Sequence, residues 1–284
     1  MKPLAQLPAA AARGLAGVVF DLDDTLLDRG ALTEAAYGAL FRLREAGLAL
    51  VACTGRPAGW GEVIQRQWPV DATVAENGAI TLVREGPGEG RVTARGELDR
   101  GSQRARRAGL LALAEELIRR FPAAALADDN DARVTDVTLD IGEHRRVPPE
   151  QVQAMREVVR ARGVRTLQSS VHLHLTLEAD DKASGVVRLL AARFGADPTA
   201  ARARYAFVGD SGNDGAAFAA FSLTFGVANV RAHLERLSVP PRFVAPSPMG
   251  RGFAEIARRI VVLRTDGSDP VPTSVEASAG ALKR

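Results

Sequence analysis

Strand-length apolar runs in this chain are each followed by a helical pattern, and that alternation leaves few architectures open. Val18 to Phe20, Leu48 to Cys53 and "YAFVG" at 205 to 209 are continuous apolar or small-residue runs, as expected of strands buried on both faces. After the first, Thr33 stands at a helix cap position, and Ala36, Leu40 and Leu43 recur at helical spacing until Gly47. After the second, Pro57 is placed to open a helix that must end before Pro69. The expected fold is α/β, a doubly wound parallel sheet.

The pattern is interrupted once. "TVAENGAITLV" reads as two short strands around Asn77-Gly78, a hairpin signal. Residues 84 to 101, rich in glycine and charge and without periodicity, read as a linker into a different unit. That unit holds a helix around Gln103 to Arg120, the alternating "VTDVTLDIG", a helix opened by Pro148-Pro149, a short strand at Val164 to Leu167 and the alternating "VHLHLTL". Alternation implies an antiparallel sheet with one face packed on helices and the other facing water or a site. For His172, His174 and Thr176 solvent is the favoured reading. From about Asp180 the doubly wound pattern returns, with a helix over 182 to 194 stopped by Gly195. The expected division is a core of 15–84 and 181–264, a smaller inserted α+β domain of 85–180, and flexible termini at 1–14 and 265–284.

A chain of 284 residues that is 46% hydrophobic can bury a full core. Its 37 basic residues are scattered among 34 acidic ones and only 5% of residues are aromatic, so no basic stripe points to nucleic acid. Pro3, Gln6 and Pro8 break any signal-peptide apolar region, no run reaches membrane-spanning length, and the one cysteine, Cys53, rules out an internal disulfide. The expectation is a cytoplasmic protein with no membrane or nucleic-acid partner and an open oligomeric state.

Polar residues gather where an open α/β sheet places its ligands, beyond the carboxyl ends of the strands. Asp21-Leu22-Asp23-Asp24 follows the first strand, Thr54-Gly55-Arg56 the second, Lys182 opens a later helix, and Gly209-Asp210-Ser211-Gly212-Asn213-Asp214 follows another strand. Three carboxylates within four positions repel one another unless a cation sits among them or water surrounds them. Of the 37 basic residues only Lys2, Lys182 and Lys283 are lysines, so a lysine at 182 suggests a geometric demand that arginine does not meet.

"DLDDT", "TGR", a later lone lysine and "GDSGND", in that order, resemble the haloacid dehalogenase superfamily of phosphotransferases. The insert and the "AENGA" leading into it are similar to the branch of sugar-phosphate phosphatases and Cof-type members with a large, sheet-containing cap. The resemblance spans roughly residues 15 to 264. It implies a Rossmann-like core, Mg²⁺, and a small phosphorylated substrate. It also implies that Asp21 is the nucleophile forming an aspartyl-phosphate and that Asp23 is the acid and base. Asp21, the Asp23 carbonyl and Asp210 would be metal ligands, with Asp214 and Asn213 orienting that shell or pairing with Lys182. Thr54, Gly55 and the following amides would hold phosphate oxygens, Asn213 would lie in the substrate site, and Lys182 would stand beside the nucleophile.

Asp24, projecting opposite to Asp21 and Asp23, reads as structural. Arg56 either faces substrate or shapes its loop through a salt bridge. The GPGEG stretch lacks the strand-to-helix context of a dinucleotide fingerprint, and the arginines at 104, 106, 107, 119 and 120 read as a solvated helix face. The resulting expectation is a Mg²⁺-dependent phosphomonoester hydrolase, with a phosphomutase on the same scaffold as the alternative and a non-catalytic phosphate-binding module behind both.

Overall fold

The computed structural model describes residues 1–85, 91–95, 99–169 and 171–265. The GPGEG stretch and the tail expected to be flexible from 266 onward lie outside the described residues. Thirteen strands are described. First come β1 (Lys2–Pro3), β2 (Gly17–Phe20), β3 (Ala49–Cys53), β4 (Ala72–Ala75), β5 (Ile80–Glu85) and β6 (Arg91–Arg95). Four more, β7 (Ala125–Leu126), β8 (Asp136–Asp140), β9 (Arg165–Gln168) and β10 (His172–Thr176), form a separate sheet. Then follow β11 (Tyr205–Gly209), β12 (Leu223–Gly226) and β13 (Phe243–Val244). The large sheet runs β1-β13-β12-β11-β2-β3-β4-β5-β6. It is parallel from β1 to β4 and antiparallel at β5 and β6.

The helices are α1 (Ala9–Arg13), α2 (Glu34–Glu45), α3 (Ala58–Gln67), α4 (Arg100–Arg120), α5 (Pro149–Ala161), α6 (Lys182–Phe194), α7 (Pro198–Arg204), α8 (Gly215–Ala220) and α9 (Met249–Thr265). Alternate residues of each central strand feed opposite layers. Phe20, Leu50, Val208 and Phe225 pack with Leu40 and Leu43 of α2 and Phe253, Ile256 and Ile260 of α9. Val19, Val51, Cys53 and Phe207 pack with Val186 and Leu190 of α6, Ala201 of α7 and Phe218 of α8. This two-sided burial explains the continuous apolar runs. No helix among the described residues is long and apolar enough to cross a membrane.

The inserted sheet has the order β7-β8-β10-β9 and is antiparallel throughout. Val137, Leu139, Leu173 and Leu175 pack on Leu110, Ala114 and Leu117 of α4 and on Val152, Met155 and Val159 of α5. The opposite face, with Asp136, Thr138, Asp140, His172, His174 and Thr176, is buried as well. It is the roof of the site described below, not a solvated surface.

Two boundaries differ from the sequence expectation. Residues 91–95, expected to begin the inserted domain, add β6 to the large sheet through pairs such as Thr81–Arg95 and Val83–Thr93, so the change of unit falls after β6. Residues 1–14 are ordered against the core. Lys2 and Pro3 pair with Phe243 and Val244, and Leu4, Leu7 and Ala12 are buried. A two-residue strand has too little pattern to announce itself, and burying three apolar side chains holds it in place.

Candidate active site

Strands β11, β2 and β3 are neighbours, so their carboxyl ends deliver Asp210, Asp21 and Thr54 side by side. The Asp21 amide extends the ladder by donating to the Val208 carbonyl at 2.9 Å. Leu22 is buried beneath the turn, and its carbonyl accepts from the amides of Thr25, Leu26 and Leu27 at 3.2, 2.9 and 2.8 Å. Asp24 has a positive φ of 56°, and its carbonyl accepts from Asn229 Nδ2 at 3.0 Å, a structural place as expected.

Lys182 is the first residue of α6 and is fully buried. Its Nζ lies 2.7 Å from Asp21 Oδ1 and 2.7 Å from Asp214 Oδ1. The other oxygen of Asp214 accepts from the amides of Asp210 and Ser211 at 2.8 and 3.1 Å. Asp214 therefore spends both oxygens on the lysine and on shaping its own loop. Asp210 is gripped by Thr25 Oγ1 at 3.2 Å and Asn229 Nδ2 at 2.8 Å.

Oxygens of Asp21, Asp210 and Asp214 lie within 4.8 Å of one another, all buried. Burial pushes Asp21 well above the ordinary carboxylate range, against the pull of Lys182, and burial together with Asp214 and Asp21 does the same to Asp210. For Lys182, burial opposes the charge but Asp21 and Asp214 outweigh it and hold the ammonium protonated. Three carboxylates against one ammonium leave a formal deficit of two positive charges, which a divalent cation would offset. Hard, closely spaced oxygen donors suit Mg²⁺ better than a softer metal, so the residues present fit the ion implied by the motifs.

The second loop rests on the same edge. Thr54 donates its amide to Val74, its Oγ1 accepts from the Arg56 amide at 3.0 Å, and its carbonyl accepts from the Asn77 amide at 3.0 Å. Of the two roles open to Arg56, the salt bridge is the one formed. Nε lies 3.0 and 2.9 Å from the two Asp23 oxygens and Nη2 2.6 Å from Oδ1. The guanidinium also lies over the Trp60 ring and 4.0 Å from Glu143 of the inserted domain. Glu143 meets His172 Nε2 at 2.8 Å, a bond that holds its carboxyl at about 2.

Arg133 and His174 lie outside the motifs, and the "AENGA" stretch does not say what Glu76 and Asn77 do. Glu76 is buried at φ 49°, followed by Asn77 at φ 54° and Gly78 at φ 114°, an unusual left-handed run. Its carboxylate accepts from the amides of Ala58 at 3.1 Å, Val134 at 2.9 Å and Thr135 at 2.6 Å, tying α3 to the entry of β8. Arg133 donates to the Gly55 carbonyl at 3.0 Å and to both oxygens of Asp136 at 3.0 Å. His174 Nδ1 lies 3.0 Å from Asp136 Oδ2. Asn213 Nδ2 donates to Asn77 Oδ1 at 3.1 Å. The only local signal was "ENG", whose Asn-Gly marks the left-handed turn but not the work of its neighbours.

An acid-bearing carboxyl edge of a doubly wound sheet, roofed by a smaller inserted domain, defines a capped α/β fold with its ligand site between core and insert. Residues 18–91 match the family model of haloacid dehalogenase-like hydrolases. No curated protein matches. Among solved structures, a Thermoplasma acidophilum protein is similar with a TM-score of 0.65 and 19% identity, covering 87% of this chain and 98% of that one. The sucrose-phosphatase of Synechocystis, in complex with sucrose and phosphate, gives 0.61 and 19% over 87% and 98%. A haloacid dehalogenase superfamily phosphatase of Bacteroides thetaiotaomicron gives 0.59 and 18% over 90% and 98%. At these identities the likeness is one of fold, cap included.

Proposed function

We propose that this chain is a Mg²⁺-dependent phosphomonoester hydrolase acting on a small phosphorylated metabolite, in particular a sugar phosphate. The observation that carries the reading is the contact of Lys182 with Asp21 at 2.7 Å inside a buried, charge-deficient acid cluster. Lys182 engages Oδ1 of Asp21, which leaves the other oxygen to attack phosphorus. The P–O ester bond breaks as the Asp21–phosphoryl bond forms, and Asp23 gives its proton to the departing alkoxide. Asp23 then takes a proton from the water that cleaves the aspartyl-phosphate, returning Asp21 and releasing inorganic phosphate. Asp23 takes up the proton it gives, and reaches a leaving oxygen, only once Arg56 releases it, and an incoming phosphate dianion offers that guanidinium another partner.

Asp21 and Asp210, with the Asp23 carbonyl, would hold Mg²⁺, which would neutralise charge on a phosphate dianion so that it could approach carboxylates. Thr54 Oγ1 and the Gly55 amide would donate to phosphate oxygens, and the Arg56 amide would join them on leaving Thr54 Oγ1, to which it now donates at 3.0 Å. The sugar-phosphate class draws support from the fold shared with a sucrose-phosphatase. The test is a phosphate-release screen over phosphorylated metabolites with and without Mg²⁺. Stoichiometric release that depends on Mg²⁺ is expected, and isomerisation without release would turn the assignment to a mutase.

A further inference from the structure

Two acids of the cap's inner face are fully spent. Asp136 holds Arg133 and His174. Asp140 accepts from the amides of Gly142, Glu143, His144 and Arg145 at 3.0, 2.8, 2.9 and 3.1 Å, which curls that loop round a single side chain. The curl carries Glu143 to the core, where it is only half engaged. Its Oε2 is anchored by His172 Nε2 at 2.8 Å, while Oε1 has no hydrogen-bond partner among the described residues and stands 4.0 Å from Arg56 Nη2.

That Nη2 is the atom now 2.6 Å from Asp23 Oδ1. A shift of ~1 Å would bring it into ion-pair contact with Glu143 instead. The Trp60 ring lies 4.3 Å from the guanidinium carbon, a broad face over which a cation can move without losing the contact. With its side chain only 11% exposed, Arg56 does not leave one carboxylate unless another receives it. A second carboxylate so near makes the exchange close to balanced, and an incoming phosphate tips it.

We infer that Glu143 is a positioning residue that takes Arg56 over from Asp23 once substrate is bound, freeing the Asp23 carboxyl to reach the leaving oxygen. Glu143 belongs to the cap, so the handover exists only in the closed molecule. The cavity between cap and core, about 10 Å³ and bounded by Asp21, Asp23, Arg56 and His172, has room for about one water, so the cap lifts to admit an ester and settles back on it. While the cap is lifted Arg56 has only Asp23 to hold. Release of the acid is thereby tied to closure over substrate. This inference rests on the hydrolase reading above.

Two measurements test it. The ratio kcat/KM reports steps up to departure of the leaving group, where propyl phosphate needs a proton from Asp23 and p-nitrophenyl phosphate, which leaves as a stable phenolate, does not. Glu143→Gln should lower kcat/KM for propyl phosphate relative to p-nitrophenyl phosphate by at least ~10-fold, and Glu143→Asp should recover part of the loss. Equal slowing of both esters would make Glu143 a structural residue and overturn the inference. The second measurement is a double-mutant cycle on unfolding stability with Arg56→Gln and Glu143→Gln, run without ligand and with saturating inorganic phosphate and Mg²⁺. The coupling between the two positions should grow at least ~5-fold, as an equilibrium constant, when phosphate binds. Coupling that phosphate leaves unchanged would overturn the handover, because Arg56 would then have turned to the phosphate itself. Turnover plays no part in this cycle: growing coupling in a wild type that releases no phosphate from either ester upholds the handover and sinks only the hydrolase.

Discussion

At the scale of single residues the site is a charge balance that one atom can upset. Asp21→Asn keeps the shape beside Lys182 but removes the attacking charge, and turnover should fall at least ~10³-fold, the scale of losing a nucleophile. A steady-state assay decides it. Lys182→Arg keeps the charge yet replaces an ammonium that fits between two carboxylates at 2.7 Å each with a wide planar fork in a fully buried slot. The expected loss is at least ~10²-fold in kcat, with a stability cost of about 1–3 kcal/mol from overpacking. Wild-type turnover would remove Lys182 from the mechanism. Chelation should abolish hydrolysis, and Mg²⁺ should both restore it and raise the melting temperature, because the ion binds the folded cluster and not the unfolded chain.

Elements meet at the left-handed turn between β4 and β5, and there the join of α3 to the entry of β8 depends on one carboxylate. Glu76→Ala leaves the amides of Ala58, Val134 and Thr135 without their acceptor. Denaturant unfolding should show a loss of about 2–4 kcal/mol. This is also where reading the sequence stopped. Asp21, Thr54, Lys182 and Asp210 were legible because each sits at the end of a strand or the start of a helix that its own neighbours specify. Glu76 acts on residues 58 and 59 positions further along, and Arg133 reaches Gly55 across 78. No local pattern encodes such pairings. β6 was missed for a related reason: "RVTAR" gains strand character only from its pairing with β5. The histidines of β10 read as solvated because alternation reveals that a polar face exists, not what covers it.

For the whole molecule, acidity should act through the cap. His174 is held at about 4 in the fold against roughly 6.5 for a free imidazole. The unfolded chain therefore binds the extra proton, and stability is lost as pH falls from about 6.5 toward 4, by up to a few kcal/mol. Burial works against the Asp136 charge, but Arg133 and His174 hold its carboxyl low, and Glu143 lies low at about 2, so further acidification acts in the same direction. Asp21, Asp210 and Glu76 are held high in the fold and act in the opposite direction over the same range, so the quantity to read is a difference: from pH 7 to pH 4.5 the melting temperature of wild type should fall relative to that of His174→Gln. A difference that does not change with pH would mean the imidazole is not kept neutral.

Cap and core can be told apart by a reagent the chain already carries a target for. Cys53 is its one thiol, buried between β3 and the α6 layer, one residue before Thr54. Burial pushes the thiol far from reactivity. Lifting the cap leaves that layer shut, so alkylation by a maleimide is a clock for opening of the core alone. Its rate should stay unchanged when ligands or Glu143→Gln alter cap closure, and rise only as denaturant loosens α6 from the sheet.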